Sequence, residues 1–168
     1  LVTLGTQTVF DGISLNVTRG SGISGFPKAF QVIGAGTLGQ VPYTMLIYIV
    51  VIVVAYLMIE RSRWGISIYM VGGNEKATRF SGINTKKTIM GVYVFSAVLS
   101  GLAGILMTSR YNSAKADYGS SYTMQAVAAT VLGGTSINGG SGHVMGTVIA
   151  VAIIQVISSG FNILGINR

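Results

Sequence analysis

Long uncharged stretches alternate with short polar segments along this chain. Tyr43–Ile59 contains 17 residues without a charged side chain, and Ile89–Thr108 contains 20. Because a helix needs about 20 apolar residues to cross the hydrocarbon core of a bilayer, both stretches are predicted to span a membrane. His143–Leu164 is predicted as a third span, and Leu1–Val17 as the end of a further span that is entered partway.

One apolar stretch is too short to span. Met124–Gly134 runs directly into the flexible sequence GGTSINGGSGH. Irregular backbone at membrane depth is tolerated only where protein or a wet cavity surrounds it. The pattern therefore predicts a half-membrane helix that breaks at glycines, within an all-α, polytopic membrane helical bundle.

Small residues recur every four positions on two of the predicted spans. Such residues let helix backbones approach closely in a bilayer. The predicted helix-packing positions are Ser96, Ser100, Gly101, Gly104, Gly142, Gly146 and Ala150.

Composition narrows the possible chemistry. Only 9% of the 168 residues are charged, against about 25% in a soluble domain. The absence of cysteine excludes disulfides and thiolate metal sites, and a single histidine, His143, is too little for a zinc site. We therefore expect no catalytic residue, no metal and no cofactor.

The placement of charge predicts the topology. Six of the basic residues lie between Glu60 and Thr88. Since Lys and Arg concentrate in cytoplasmic loops, the segment 60–88 is predicted to be cytoplasmic and Ser109–Tyr122 to lie on the other side. The net charge of +7 is thus interpreted as a topology signal and not as a nucleic-acid site. The glycine-rich Thr18–Pro42 is predicted to be an extracytoplasmic loop.

The cytoplasmic segment contains a predicted short helix, Glu75–Ser81. Asn74 is a suitable N-cap, and Gly82 stands where a left-handed C-cap residue is expected. Ala77, Phe80 and Ile83 can form a small apolar face. Two interpretations remain open, a docking helix or a basic loop that only sets topology; composition alone favours the second, and the caps favour the first.

The glycine-rich Val131–Gly142 also has two interpretations. It lacks the Lys-[Ser/Thr] ending of a nucleotide-binding P-loop, so phosphate binding is disfavoured. A hinge that lines a pathway and tight packing between spans are about equally supported. In the outer loop, Asp117 and three nearby tyrosines could contact a cargo, but interfacial tyrosines in a solvated loop are favoured.

Two motifs resemble a known family. The run GISIYMVGGNEKATRFSGINTKK resembles the cytoplasmic coupling segment of ATP-binding-cassette importer permeases, in the branch that moves ribose, galactose, xylose and related simple sugars. The later run VLGGTSINGGSGHVMGT continues the match. The resemblance covers nearly the whole chain, most strongly Gly65–Gly165.

The resemblance implies a multi-pass permease of the bacterial inner membrane that pairs with a second permease copy. It also implies partner ATPase subunits and a periplasmic or lipid-anchored substrate-binding protein, while this chain contacts membrane lipid and has no catalytic residue. The implied ATPase-coupling positions are Gly72, Gly73, Asn74, Glu75, Ala77, Phe80, Ser81, Gly82 and Ile83. The implied translocation path or gate comprises Ala126, Thr130, Gly133, Gly134 and Thr135.

The resemblance also sets an expectation for extent and for substrate. Residues 1–168 are expected to be a single permease domain that lacks the family's N-terminal spans and its last span. Relatives carry pentoses, hexoses, inositols and a furanose-type signalling molecule, so the motif does not fix the cargo. The alternatives are a permease for another nutrient, such as branched-chain amino acids, and a passive membrane channel without an ATPase.

Overall fold

A computed structural model describes residues 2–165, with the side chains of all of these except positions 4, 117 and 121. Leu1, the first residue of the predicted N-terminal span, lies outside the described part. The described residues are mostly helical. The helices are α1 (Val2–Thr18), α2 (Lys28–Ala35), α3 (Tyr43–Glu60), α4 (Arg63–Gly73), α5 (Glu75–Phe80), α6 (Thr85–Tyr111), α7 (Ser120–Leu132) and α8 (Val144–Ile163).

Three of these helices are long and apolar enough to cross a membrane. They are α3 with a mean hydropathy of 2.2, α6 with 2.1 and α8 with 2.0. The predicted span Ile89–Thr108 lies inside the 27-residue α6, which at 1.5 Å per residue is about 40 Å long and extends beyond the hydrocarbon core. The predicted all-α, polytopic membrane fold is confirmed.

The short apolar helix α7 begins at Ser120, four residues before its predicted start, and ends at Leu132. Its 13 residues make it about 20 Å long, which is less than the hydrocarbon core of about 30 Å. It therefore cannot cross a bilayer alone, and its depth in the membrane remains a prediction.

The segment 60–88, predicted as a loop with one short helix, is largely helical. The additional helix is α4, whose N-terminus is capped by the Ser62 hydroxyl, 3.1 Å from the Gly65 amide nitrogen. Gly65 permits the tight corner with α3, because an added Cβ there would collide with the Ile59 carbonyl oxygen. The sequence analysis missed this helix, although Ile66, Tyr69 and Met70 stand at helical spacing, because the segment was interpreted from its charge.

The two segments predicted to lie outside the cytoplasm, 18–42 and 109–122, also contain local structure. Pro27 occupies the N-cap position of α2, which lies within the first of these segments. Four strands of two residues form two antiparallel pairs, with Ile23 opposite Ala114 in one and Thr37 opposite Pro42 in the other. These strands are β1 (Ile23–Ser24), β2 (Thr37–Leu38), β3 (Val41–Pro42) and β4 (Ser113–Ala114). A 3-10 turn follows at Ala116–Gly119.

Contacts group the described residues into two compact units, residues 2–47 with 100–122 and residues 48–99 with 123–165. In the first unit, a polar cluster ties α2 to the end of α6. The Ser109 hydroxyl donates to the Phe30 carbonyl at 2.6 Å and accepts from the Gly34 amide at 2.7 Å. Ser109 is only 1% exposed, so these bonds satisfy a fully buried hydroxyl.

Asn112 extends the same cluster. Its side-chain oxygen accepts from the Phe26 amide and from the Gln31 side chain, each at 3.1 Å. Asn112 adopts a φ of 50°, a left-handed conformation that asparagine tolerates better than most residues. The residue therefore ends α6 and holds the start of α2 at the same time.

The substitution Gly34→Ala tests the packing of α2 against the end of α6. A Cβ at Gly34 would lie 2.6 Å from the Arg110 amide nitrogen, so Gly34→Ala must push α2 and α6 apart. Overpacking of this kind costs about 1–3 kcal/mol. We expect thermal unfolding of the purified protein in detergent to begin at a clearly lower temperature than for the unaltered protein.

Gly12→Ala in α1 is the matched control, because no heavy atom among the described residues lies within 4 Å of its added Cβ. It should leave the unfolding temperature unchanged or raise it slightly, since alanine favours helix. Equal unfolding temperatures for the two variants would contradict the close packing of α2 on α6.

Candidate functional site

The short helix α5 has the N-terminal cap that the sequence predicts. The Asn74 side-chain oxygen accepts a hydrogen bond from the Ala77 amide at 3.0 Å. Glu75 occupies the first turn, where a negative charge favours the positive end of the helix dipole. Asn74 is also the C-cap of α4, so one residue both ends α4 and starts α5.

The C-terminus of α5 closes in a Schellman motif around Gly82. Gly82 has a φ of +81°, and its amide donates to the Arg79 carbonyl at 3.1 Å. The Ile83 amide donates to the Thr78 carbonyl at 3.4 Å, which completes the pair of bonds that defines the motif. Ser81 is the C-cap residue, so the helix ends at Phe80, one residue before the predicted end.

The exposed surface of α5 carries one aromatic side chain among polar and charged neighbours. Phe80 is 93% exposed, and Ala77 is exposed three residues before it. Thr78 faces inward, is 3% exposed, and donates from its hydroxyl to the Asn74 carbonyl at 2.8 Å. Ile83 is half-buried. The outward face therefore offers an aromatic ring that the described residues leave exposed, on a helix whose two ends are capped.

At the end of α4, backbone atoms lie directly against backbone atoms of the loop after α7. An added Cβ at Gly72 would lie 2.7 Å from the Gly140 amide nitrogen, and one at Gly139 would lie 2.6 Å from the Gly72 carbonyl oxygen. A Cβ at Gly140 would lie 2.8 Å from the Gly73 Cα. We call this the glycine contact, formed by Gly72, Gly73, Gly139 and Gly140. It joins the two motifs that the sequence analysis treated separately.

Two side chains support the glycine contact. The Tyr69 hydroxyl donates to the Gly142 carbonyl at 2.8 Å, and a carboxylate oxygen of Glu60 accepts from the Val144 amide at 2.8 Å. Burial, and then the neighbouring Glu60 charge, raise the pKa of the Tyr69 hydroxyl above its ordinary value. The Glu60 carboxylate also faces the positive N-terminal end of α8.

The end of α7 lies against the start of α8. Gly134 has a φ of +85°, and the amides of Gly134 and Thr135 donate to the carbonyls of Val131 and Thr130 at 3.0 Å, which is a second Schellman motif. A Cβ at Gly133 would lie 2.6 Å from the Thr147 Cα. The backbones of the two helices therefore cross in direct contact.

The predicted path residues fall into two groups. Ala126 and Thr130 are exposed on α7, and the Thr130 hydroxyl donates to the Val127 carbonyl at 2.8 Å. Thr135 is half-buried and, with Tyr69 and His143, lines a cavity of about 320 Å³ beside the glycine contact. The cavity lies next to the basic segment, at the end of α3.

The predicted packing stripes differ in their surroundings. On α8, Ala150 is 2% exposed, and Gly146 meets Gly133 so closely that a Cβ on Gly146 would overlap the Gly133 carbonyl oxygen. Gly142 lies against the Thr135 side chain. The four predicted positions on α6 are exposed; they are Ser96, Ser100, Gly101 and Gly104. No heavy atom of the described residues lies within 4 Å of a Cβ added at either of the two glycines. The packing role of the α6 stripe remains a prediction.

The tyrosines of the predicted outer loop contact one another. The rings of Tyr111 and Tyr118 lie 5.4 Å apart, and the hydroxyls of Tyr111 and Tyr122 lie 3.2 Å apart. The Tyr118 hydroxyl is 2.8 Å from the Ser113 hydroxyl. The side chain of Asp117, the predicted polar partner, lies outside the described residues.

Sequence reasoning missed the supporting residues Glu60 and Tyr69, and the two glycines that face Gly72. The only available signal for these glycines was the pair Gly139-Gly140, which was interpreted as part of a hinge or of tight packing between spans. Among residues whose side chains the structure describes, no group of three or more His, Cys, Asp or Glu could hold a metal ion.

Comparison with known proteins gives consistent matches. The ribose import permease protein RbsC of Bacillus subtilis is 38% identical over 169 residues, covering 99% of this chain and 52% of that protein. RbsC of Haemophilus influenzae is 40% identical over 171 residues, covering 99% and 53%. The autoinducer 2 import system permease protein LsrD of Yersinia enterocolitica is 33% identical over 171 residues, covering 98% and 52%. No solved structure shows a significant match.

The chain thus spans about half the length of the curated relatives it matches. Residues 1–168 also match the family model described as branched-chain amino acid transport system / permease component. The recognition of an importer permease of the simple-sugar branch is confirmed by these relatives. The three membrane-length helices agree with it. This chain belongs to the branched-chain amino acid transport system / permease component family and is part of a multi-pass membrane protein.

Proposed function

We propose that this chain is part of the permease of an ATP-driven importer in the bacterial inner membrane. Its cargo is a ribose-like sugar or a related polar molecule, which is moved by alternating access. This choice of cargo is supported by two ribose import permeases, with which the chain shares 38% and 40% sequence identity. ATP hydrolysis takes place on partner ATPase subunits, and a periplasmic or lipid-anchored binding protein delivers the cargo. A second permease copy completes the pathway.

In this proposal α5 is the surface that the ATPase contacts. The exposed Phe80 supplies an apolar anchor, and aromatic anchors are frequent at the centre of protein interfaces. The Asn74 cap and the Gly82 Schellman motif hold both ends of the helix. Because the ends are held, a displacement applied to the exposed face moves the helix as a body and does not unwind it.

The glycine contact is the observation that carries the proposal. It lies immediately before α5 and joins the coupling segment to the loop that continues from α7 into α8. Since backbone atoms meet there without intervening side chains, no rotamer change can absorb a small displacement. Movement of α5 would therefore reach Gly133–Thr135 and, through α7, the predicted path positions Ala126 and Thr130.

A permease for branched-chain amino acids is the second candidate, because the family description names that cargo. The relatives named for ribose and autoinducer 2 import favour the sugar-like cargo. The passive channel has less support, because it gives no role to a capped and exposed α5.

Uptake by the complete transporter distinguishes these candidates. We expect ATP-dependent uptake of radiolabelled ribose or a related sugar in cells that lack their own ribose system, and no uptake of leucine. Excess unlabelled sugar should abolish the signal. Leucine uptake without sugar uptake would establish the amino acid permease, and uptake that persists after removal of the ATPase would establish the channel.

Substitution at the glycine contact tests the transmission step. Gly72→Ala places a Cβ 2.7 Å from the Gly140 amide, at an expected overpacking cost of about 1–3 kcal/mol. We expect cargo-stimulated ATP hydrolysis and transport to fall on the order of tenfold, the equivalent of about 1.4 kcal/mol. Membrane insertion and ATPase binding should be retained, because α5 and its caps are unchanged.

The neighbouring Gly73→Ala is the matched control, since its Cβ would meet only the Gly140 Cα, at an ordinary 3.9 Å. It should transport nearly as well as the unaltered protein. Equal transport by both variants would show that the glycine contact does not carry the motion.

A further inference from the structure

An apolar groove lies on the second unit, away from the glycine contact. Its long wall is a stripe on α6, where Met90, Val94 and Val98 follow one another at intervals of four residues. They are 66%, 56% and 56% exposed. The groove encloses about 680 Å³, and Trp64 at the start of α4 forms its other wall. We call it the Trp64 groove.

The indole of Trp64 is fixed against α6. It meets the Phe95 ring edge to face, with the ring centres 5.8 Å apart and the planes at 80°. Gly91 makes this approach possible, since a Cβ at that position would lie 3.1 Å from the indole nitrogen. A tryptophan at the end of membrane-length helices matches the preference of this side chain for the membrane–water interface.

Two lysines stand at the polar end of the same groove. Lys86 and Lys87 both line it, and Lys86 lies one helical turn before Met90 on the same face of α6. From Lys86 to Val98 the helix rises about 18 Å, which is close to the roughly 15 Å depth of one leaflet's hydrocarbon. The groove therefore combines a cationic mouth with an apolar length that matches one leaflet.

We propose that the Trp64 groove binds one anionic phospholipid of the cytoplasmic leaflet. The headgroup phosphate lies at Lys86 and Lys87, and an acyl chain lies along Met90, Val94 and Val98. The charge complementarity is specific to anionic lipid, because a zwitterionic headgroup gains little from two cations. Basic residues beside a membrane attract anionic lipids with about 1 kcal/mol each.

The test uses the complete protein, purified with mild detergent and analysed by native mass spectrometry. Phosphatidylglycerol and phosphatidylcholine are titrated separately. We expect the unaltered protein to retain phosphatidylglycerol preferentially. The double variant K86Q/K87Q should weaken that retention by about fivefold per lysine removed, with little effect on phosphatidylcholine. K86R/K87R should restore the retention.

Two further variants test the location of the charge and the apolar length of the groove separately. R19Q/K28Q is the control for total charge, because it removes two positive charges from the loop predicted to lie on the opposite side of the membrane. It should leave phosphatidylglycerol retention unchanged. Val94→Trp fills the groove without altering charge and should reduce the retention of phosphatidylglycerol. The proposal is overturned if K86Q/K87Q and R19Q/K28Q behave alike. It is equally overturned if Val94→Trp has no effect on retention, because another segment or a partner protein then covers the groove.

Discussion

Direct backbone contact at glycines is the constraint on which the second unit depends. At Gly72 and Gly140, and again at Gly133 and Gly146, two chain segments approach so closely that a single added methyl group would collide with backbone atoms. In a bilayer, lipid tails are as apolar as the side chains, so the hydrophobic effect between helices is weak and close van der Waals contact has to replace it. Glycine is the residue that permits this approach. The same contacts join α4, the loop after α7, and α8 into one body.

The two helices on which the proposed function depends end in the same way. Gly82 closes α5 and Gly134 closes α7, each with a left-handed φ and the paired bonds of a Schellman motif. The motif at Gly82 fixes the end of the helix that a partner would contact. The motif at Gly134 fixes the point where α7 ends and the loop begins. Between them lie the glycine contact and its supports, Tyr69 and Glu60. A short, stiff route therefore leads from the exposed Phe80 to the end of α7.

Local signals in the sequence were sufficient for much of this architecture. Uncharged length identified the three spans, and Asn74 and Gly82 identified α5 to within one residue, because caps act over only a few positions. Pairings distant in sequence were not predictable. Nothing near Glu60 indicates that it accepts from Val144, and nothing near Gly139 indicates that it faces Gly72. The two-residue strands were missed because elements this short depend on their neighbours. The helix α4 was missed because its segment was interpreted from charge and not from the helical spacing of Ile66, Tyr69 and Met70.

The central claim is that α5 contacts an ATPase and responds to its nucleotide state. Residues 1–168 contain no cysteine, so a single cysteine at the exposed Ala77, with any cysteine outside this segment replaced by serine, gives an unambiguous crosslinking signal in the complete protein. The most direct measurement is the yield of crosslink from this position to a co-expressed ATPase subunit, with and without ATP. A crosslink whose yield changes with ATP is the predicted result. An accessible cysteine that forms no crosslink would contradict the claim and would leave α5 as part of a basic segment that only sets topology.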